Sequence, residues 1–323
     1  FRIFNINSNC KVTLKNINLI NSGADDGGAI FIGSDSNAVI VDSCNFDTNY
    51  ANYYGGSIYA KSGSKLEVKN SNFTDSFAAI DGGDIYLEDN VQLNISNCNI
   101  TGSMALGGHG GVIATNNNNI VHITNSSIYR SKAKEGGVIS TDSGNVIELS
   151  NSSFVKNKAL NGNGGVISSN GTTTVTIHNS TLNNNRANGN GGVISGATIV
   201  LENAILANNS AFNGGAIYGD TNGVVNVSNS HFTGNNVSGN GSSIYASGAL
   251  NVTDSTFASE NVTGNATIFI KSNKKNIALA NNNMTGDLLD IYNDGGLFVT
   301  PTDLVFGNAT VDVFETANLT VLL

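Results

Sequence analysis

A Gly-Gly-x-Ile motif returns every 23 to 28 residues, and this period constrains the fold more than any other feature of the chain. The isoleucines that close the motif, or its equivalent where Gly-Gly is lost, are Ile30, Ile58, Ile85, Ile113, Ile139, Ile167, Ile194, Ile217, Ile244, Ile268 and Ile291. Ile3 fits the same column one period earlier. About fifteen residues after each isoleucine comes a second block, V-x-I-x-N-S-x-F-x-x-N, seen most fully at residues 225–235. Its apolar anchor is Leu19, Phe46, Phe73, Ile100, Ile128, Phe154, Leu182, Leu206, Phe232, Phe257 or Met284. Seven and five residues before each anchor stand paired aliphatics, such as Val39 with Val41 and Val225 with Val227. Alternation with period two is the mark of a strand.

Each repeat thus holds three short strands: one at the isoleucine, one at the aliphatic pair and one at the anchor. A repeat of about 27 residues with strands and no helical period is one coil of a right-handed parallel β-helix, an all-β solenoid. Eleven or twelve coils rising about 4.8 Å each predict a rod of roughly 55 Å over residues 1–300. Between aliphatic pair and anchor the inward parity shifts by one residue, so a bend is expected three residues before the anchor. That column reads Asn16, Ser43, Asn70, Asn97, Asn125, Asn151, Asn179, Asn203, Asn229, Asp254 and Asn281. Asparagine tolerates left-handed corners and stacks amide on amide. The inward column beside it is small: Ser71, Ser126, Ser152, with Cys44 and Cys98 two coils apart. Two coils exceed the reach of a disulfide, so these are expected to be buried thiols in serine positions.

A net charge of −9 with three arginines argues against nucleic acid as a partner, because phosphates need a basic footprint. No run approaches eighteen apolar residues, so no membrane span is expected. No Cys or His spacing suggests a metal, and no cofactor is expected. The absence of a starting Met and the closing apolar run Leu319–Leu323 suggest a piece of a longer protein.

The pairing of GGAI at residues 27–30 and GGAIY at 214–218 with FTGN at 232–235 and FVKN at 154–157 resembles the repeats of chlamydial polymorphic membrane proteins. The Asn-rich wording is more similar still to the β-helical adhesin-like surface proteins of methanogenic archaea. The resemblance covers about residues 1–300. After Pro301 the pattern stops, and residues 301–323 look like a cap or the opening of an Ig-like domain, as often follows in such proteins. Gly-Gly is also lost at Asn265-Ala266 and Leu288-Leu289, where irregular coils are expected. The family implies an extracellular, cell-surface module for adhesion or wall construction, and no catalytic residue. A cell-surface glycan or protein, or neighbouring copies in a filament, sheath or surface layer, are the partners it suggests.

Four groups of residues are candidates for chemistry. The outward residues after the core isoleucine form two aromatic stripes, Phe31, Tyr59, Tyr86 and then Tyr218, Tyr245, Phe269, Tyr292, able to stack on sugars or on one another. In the gap between them the residues before the isoleucine, Val112, Val138, Val166 and Val193, are expected to face outward as a flat apolar contact strip. Ahead of the Gly-Gly, Asp26, Tyr54, Asp81, His109 and Glu135 follow on successive coils, with Asp84 close by. Asp26 and Asp81, about 10 Å apart, would approach the separation used in inverting sugar hydrolysis, which keeps a polysaccharide-acting enzyme as a third reading. Among many N-x-[ST] sequons, Asn236 and Asn261 fall in expected loops and are the candidate glycan acceptors.

Overall fold

Each Gly-Gly makes two backbone demands. In the computed structural model Gly136 has a φ of +58°, and a Cβ there would lie 2.2 Å from the Ile139 carbonyl oxygen. A Cβ on Gly137 would lie 2.2 Å from the carbonyl oxygen of Gly165, its counterpart one coil on. Only glycine meets both conditions, so the corner repeats as Gly-Gly where coils touch this closely. The structure describes residues 1–35, 37–258, 266–271, 276–285, 289–294, 297–298, 305–306 and 311–315.

From the corner the chain runs around a three-sided coil. In one coil Ile58–Ala60 and Lys65–Lys69 belong to the first sheet, Asn72–Thr74 to the second and Phe77–Ala78 to the third. Stacking gives parallel sheets of 23, 12 and 9 strands among the described residues, which makes the protein an all-β parallel solenoid. The register is the one the repeat predicts. Each core isoleucine pairs with the next, from Ile30 to Ile291.

The ends depart from the pattern. Phe4, not Ile3, pairs with Ile30. The amides of Ile3 and Phe4 both reach the Ala29 carbonyl, at 3.1 and 2.9 Å, so Ile3 falls one position early and stays 44% exposed. At the other end the ladders run past Pro301: Met284 pairs with Phe306, and Ile291 with Val313.

Isoleucines, aliphatic pairs and anchors fill the interior, with Phe46 stacked on Phe73 at 4.3 Å and Phe232 on Phe257 at 4.7 Å. Three residues before the anchor the chain turns with positive φ on every coil, from Asn16 (55°) to Asn281 (56°). Cys44 and Cys98 are buried free thiols whose sulfurs lie 3.4 and 3.2 Å from the carbonyl two residues back, the contact that Ser71, Ser126 and Ser152 make with their hydroxyls.

One expectation is overturned. Val112, Val138, Val166 and Val193 do not form an outward strip; all four are fully buried. The amides of Val112 and Ile113 share one acceptor, the Val138 carbonyl, both at 2.9 Å, and those of Val138 and Ile139 share the Val166 carbonyl at 3.0 and 2.8 Å. Two residues opposite one acceptor is the pattern of a β-bulge, which breaks strict alternation and turns both side chains the same way. The same sharing runs from Ile3 and Phe4 to Ser243 and Ile244, and the column from Ala29 and Ser57 through Asp84 to Ala216 is interior.

Candidate functional site

The residues after the core isoleucines do face away from the hydrophobic interior, but they are not open to solvent. Tyr59 and Tyr245 keep only 8% and 6% of their surface, and Phe269 keeps 7%, while Phe31, Tyr86 and Tyr218 are half-buried. Their rings stack along the rod, Phe31 on Tyr59 and Tyr59 on Tyr86 at 5.3 Å, Tyr218 on Tyr245 at 5.0 Å. The segment before Gly55 leans over the first stripe: the Tyr54 ring lies 4.6 Å from that of Tyr86 and 6.5 Å from that of Tyr59. From the other side, the Tyr59 hydroxyl donates to Glu88 Oε1 at 2.6 Å and the Tyr86 hydroxyl to Asn116 Oδ1 at 2.7 Å. Burial, with Glu88 beside Tyr59 and Asp81 beside Tyr86, pushes both phenols above their usual range, against the Asn116 bond at Tyr86. Between the stripes the floor drops to Ala114, Ser140, Ser168 and Ser195, all nearly covered. The result is a narrow seam of aromatic rings, most of whose contact area is spent on one another.

The acidic column forms one lip of this seam. Asp26 pairs with Tyr54, and Tyr54 bridges to Asp81, so a tyrosine occupies the rung between the two carboxylates. Desolvation raises both carboxyl groups above the ordinary value. Asp81 Oδ1 accepts the His109 backbone N–H at 2.6 Å and lies 3.4 Å from His109 Nδ1, which commits that oxygen to the next coil. Asp26 Oδ1 is buried and without a partner, while Arg2 donates to the Asp26 carbonyl.

Asp84 belongs elsewhere. It occupies the bulge column, fully buried inside the solenoid, and cannot join Asp26 and Asp81. Its Oδ2 accepts the Ser103 hydroxyl, the Ser57 and Ser76 hydroxyls, 2.9 Å from each other, lie close enough to favour its charged form, and Oδ1 has no partner. Desolvation outweighs these hydroxyls and pushes its pKa up to about 7.

Family models, curated proteins and solved structures give no match to this chain. Among the described residues no group of three or more His, Cys, Asp or Glu could hold a metal ion, and no helix is long and apolar enough to cross a membrane.

The third sheet offers a second concave surface. A groove of about 680 Å³ is lined by Arg186, Asn188, Ser210, Phe212, Asn236 and Ser238. Phe212 is 52% exposed. The sequon residue Asn236 therefore lies on a strand, Asn236–Val237, in the wall of this groove and not on a loop. Asn261 falls outside the described residues. Sequence reading passes over the groove because its strands are two residues long, too short to show a period. The signal that could have found it is the Ala column, Ala133, Ala159, Ala187 and Ala211, whose strict spacing marks one more inward strand and so fixes its neighbours as outward.

Proposed function

We propose that this solenoid is a non-catalytic extracellular surface module, an adhesin or stalk that mediates attachment. The observation that carries the reading is the continuous pairing of the core column from Phe4 to Val313, which makes one continuous rod. Continuous stacking gives reach, and each coil is held by its neighbours. The resemblance of the GGAI and FxxN blocks to archaeal and chlamydial surface repeats supports the same reading. A polysaccharide-cleaving site is less well supported: Tyr54 separates Asp26 from Asp81, Asp81 is engaged by His109, and Asp84 is interior. Lateral assembly into a sheath loses its valine strip, which lies inside the rod.

The isolated chain tests this. Binding to a glycan array or to target cells, without loss of polysaccharide mass, is the expected outcome. Digestion of a polysaccharide that stops in Asp81→Asn would replace it with the enzyme. Regular arrays of the protein in electron micrographs, without cell binding, would replace it with the assembly subunit.

A further inference from the structure

Cations are few in this acidic chain, and they are not evenly spread. Of 15 lysines and arginines, Arg130, Lys132, Lys134, Lys156, Lys158 and Arg186 stand on three successive coils. Lys132 pairs in register with Lys158, and Lys158 with Arg186, on the outer face of the third sheet. Three like charges on adjacent rungs, about 4.8 Å apart, repel one another. Yet among the described residues none of the six forms an ion pair, in a chain with 24 acidic residues to draw on. Lys134 comes near enough to Asp81 to offset a little of the desolvation that raises its pKa, without pairing.

The backbone adds a second observation. Two residues after the anchor the chain turns with positive φ, at Asn21, Thr48, Asp75, Gly102, Asn184, Asn208 and Gly234, all but Thr48 being residue types suited to it. On the first two of the three cationic coils the same turn holds Arg130 (φ 62°) and Lys156 (φ 59°), long side chains that the left-handed region disfavours. Both reach the Tyr129 ring, at 5.5 and 5.7 Å. Positive charge is thus placed here against both electrostatic and conformational preference.

The ladder leads into the groove of the third sheet: Arg186 pairs with Ser210, and Ser210 with Asn236. There the exposed Phe212 ring stands among amides and hydroxyls. Evenly spaced cations suit a polymer with regularly repeated anions, and an aromatic ring with amides beside it suits the face and hydroxyls of a sugar. We propose that the outer face of the third sheet binds a linear acidic polysaccharide lying along the rod, its carboxylates or sulfates on Lys132, Lys158 and Arg186 and a sugar ring over Phe212. This rests on the attachment reading and names its ligand class.

Binding of the full chain to immobilised polygalacturonate, to heparin, to neutral dextran and to inorganic polyphosphate tests it, with each measured at low and high salt. The first two separate carboxylate from sulfate as the anion recognised. The wild type should bind at least one acidic polysaccharide, weaken as salt rises, and ignore dextran. The triple variant Lys132→Gln, Lys158→Gln, Arg186→Gln should bind at least tenfold more weakly. A charge-matched variant on other faces, Lys11→Gln, Lys61→Gln, Lys65→Gln, should bind like the wild type. Phe212→Ala should weaken the polysaccharide severalfold and leave polyphosphate unchanged. No binding to either acidic polysaccharide, or equal loss in both triple variants, would overturn the proposal. Polyphosphate bound as tightly as polysaccharide, with Phe212→Ala without effect, would overturn the sugar and leave a general polyanion surface. Cell attachment and acidic-polysaccharide binding that both survive in the Lys132→Gln, Lys158→Gln, Arg186→Gln variant keep the adhesin and overturn this site. Acidic-polysaccharide binding without cell attachment does the reverse.

Discussion

The bulge column holds two different solutions within four coils. At Asp84 it is a carboxyl group surrounded by the hydroxyls of Ser57, Ser76 and Ser103. At Val166 it is aliphatic, and the residues in the places of Ser76 and Ser103 are Asn157 and Asn185. Those amides belong to a buried ladder: Asn157 Nδ2 donates to Asn185 Oδ1 at 3.1 Å, Asn185 to Asn209 at 3.1 Å, and Asn209 to Asn235 at 3.0 Å. Their second hydrogens go to backbone carbonyls such as Ile128 and Phe154. A serine hydroxyl leaves its neighbour room and a donor, so a polar group fits beside it. An asparagine ladder that satisfies itself suits an apolar neighbour such as Val166, while at its far end Asn235 also reaches the Ser243 hydroxyl of the same column at 3.5 Å. One backbone thus accepts either chemistry.

The largest test of that difference is Val166→Asp. Asn157 and Asn185 have no donor to spare, so the charge would be buried unpaired at a cost of about 3 to 5 kcal/mol or outright unfolding. Loss of cooperative unfolding by circular dichroism is the expected result. Ile167→Ala in the same coil should cost about 2 to 5 kcal/mol as a cavity, read from denaturant midpoints. The same change at Ile291 should cost less, because a coil near the end frays without opening its neighbours.

Asp84 gives the opposite sign. Its folded pKa of about 7 lies above its ordinary 3.8, so the folded state holds the proton more tightly. Its contribution to stability is full below about pH 4 and is lost as pH rises to 7. Asp84→Asn, neutral at all pH, should flatten most of that slope and stabilise the protein above pH 7 by up to about 4 kcal/mol. Asp26 and Asp81, raised in the same direction, leave a residual slope. A smaller effect separates the two ladders. Asn185→Ala orphans the Asn157 amide hydrogens and should cost about 1 to 3 kcal/mol. Ser131→Ala, whose hydroxyl has no partner, should change the denaturant midpoint by less than about 0.5 kcal/mol.

These contrasts mark what the sequence discloses. The isoleucine, aliphatic-pair and anchor columns are legible because each follows a fixed period and a fixed parity, and the left-handed Asn corners because the parity there must shift. The bulge after Gly-Gly is not legible as such. It shifts parity a second time at the bend just before a strand of three residues, and valine suits an outward and an inward position equally. Counting alternation backward from Ile113 therefore puts Val112 outside. The buried amide ladder lies in the last asparagine of the FxxN block, while attention falls on Asn125 and its exposed counterparts, where asparagine is more frequent. The candidate seam was legible as columns but not as a surface. That Tyr54 leans across Tyr59 and Tyr86 depends on the angle of the Gly-Gly corner, which spacing alone does not carry.

The bulge column lies inside the rod from Ala29 to Ala216, and thiol accessibility tests this directly. In a Cys10→Ser background, Val138→Cys is exposed to a maleimide reagent and labelling is counted by mass spectrometry, with Lys132→Cys as the exposed reference. The expected result is that Val138→Cys, like Cys44 and Cys98, takes label only in denaturant, while Lys132→Cys reacts at once. Native labelling of Val138→Cys at the rate of the reference would contradict the account and return the valines to the surface.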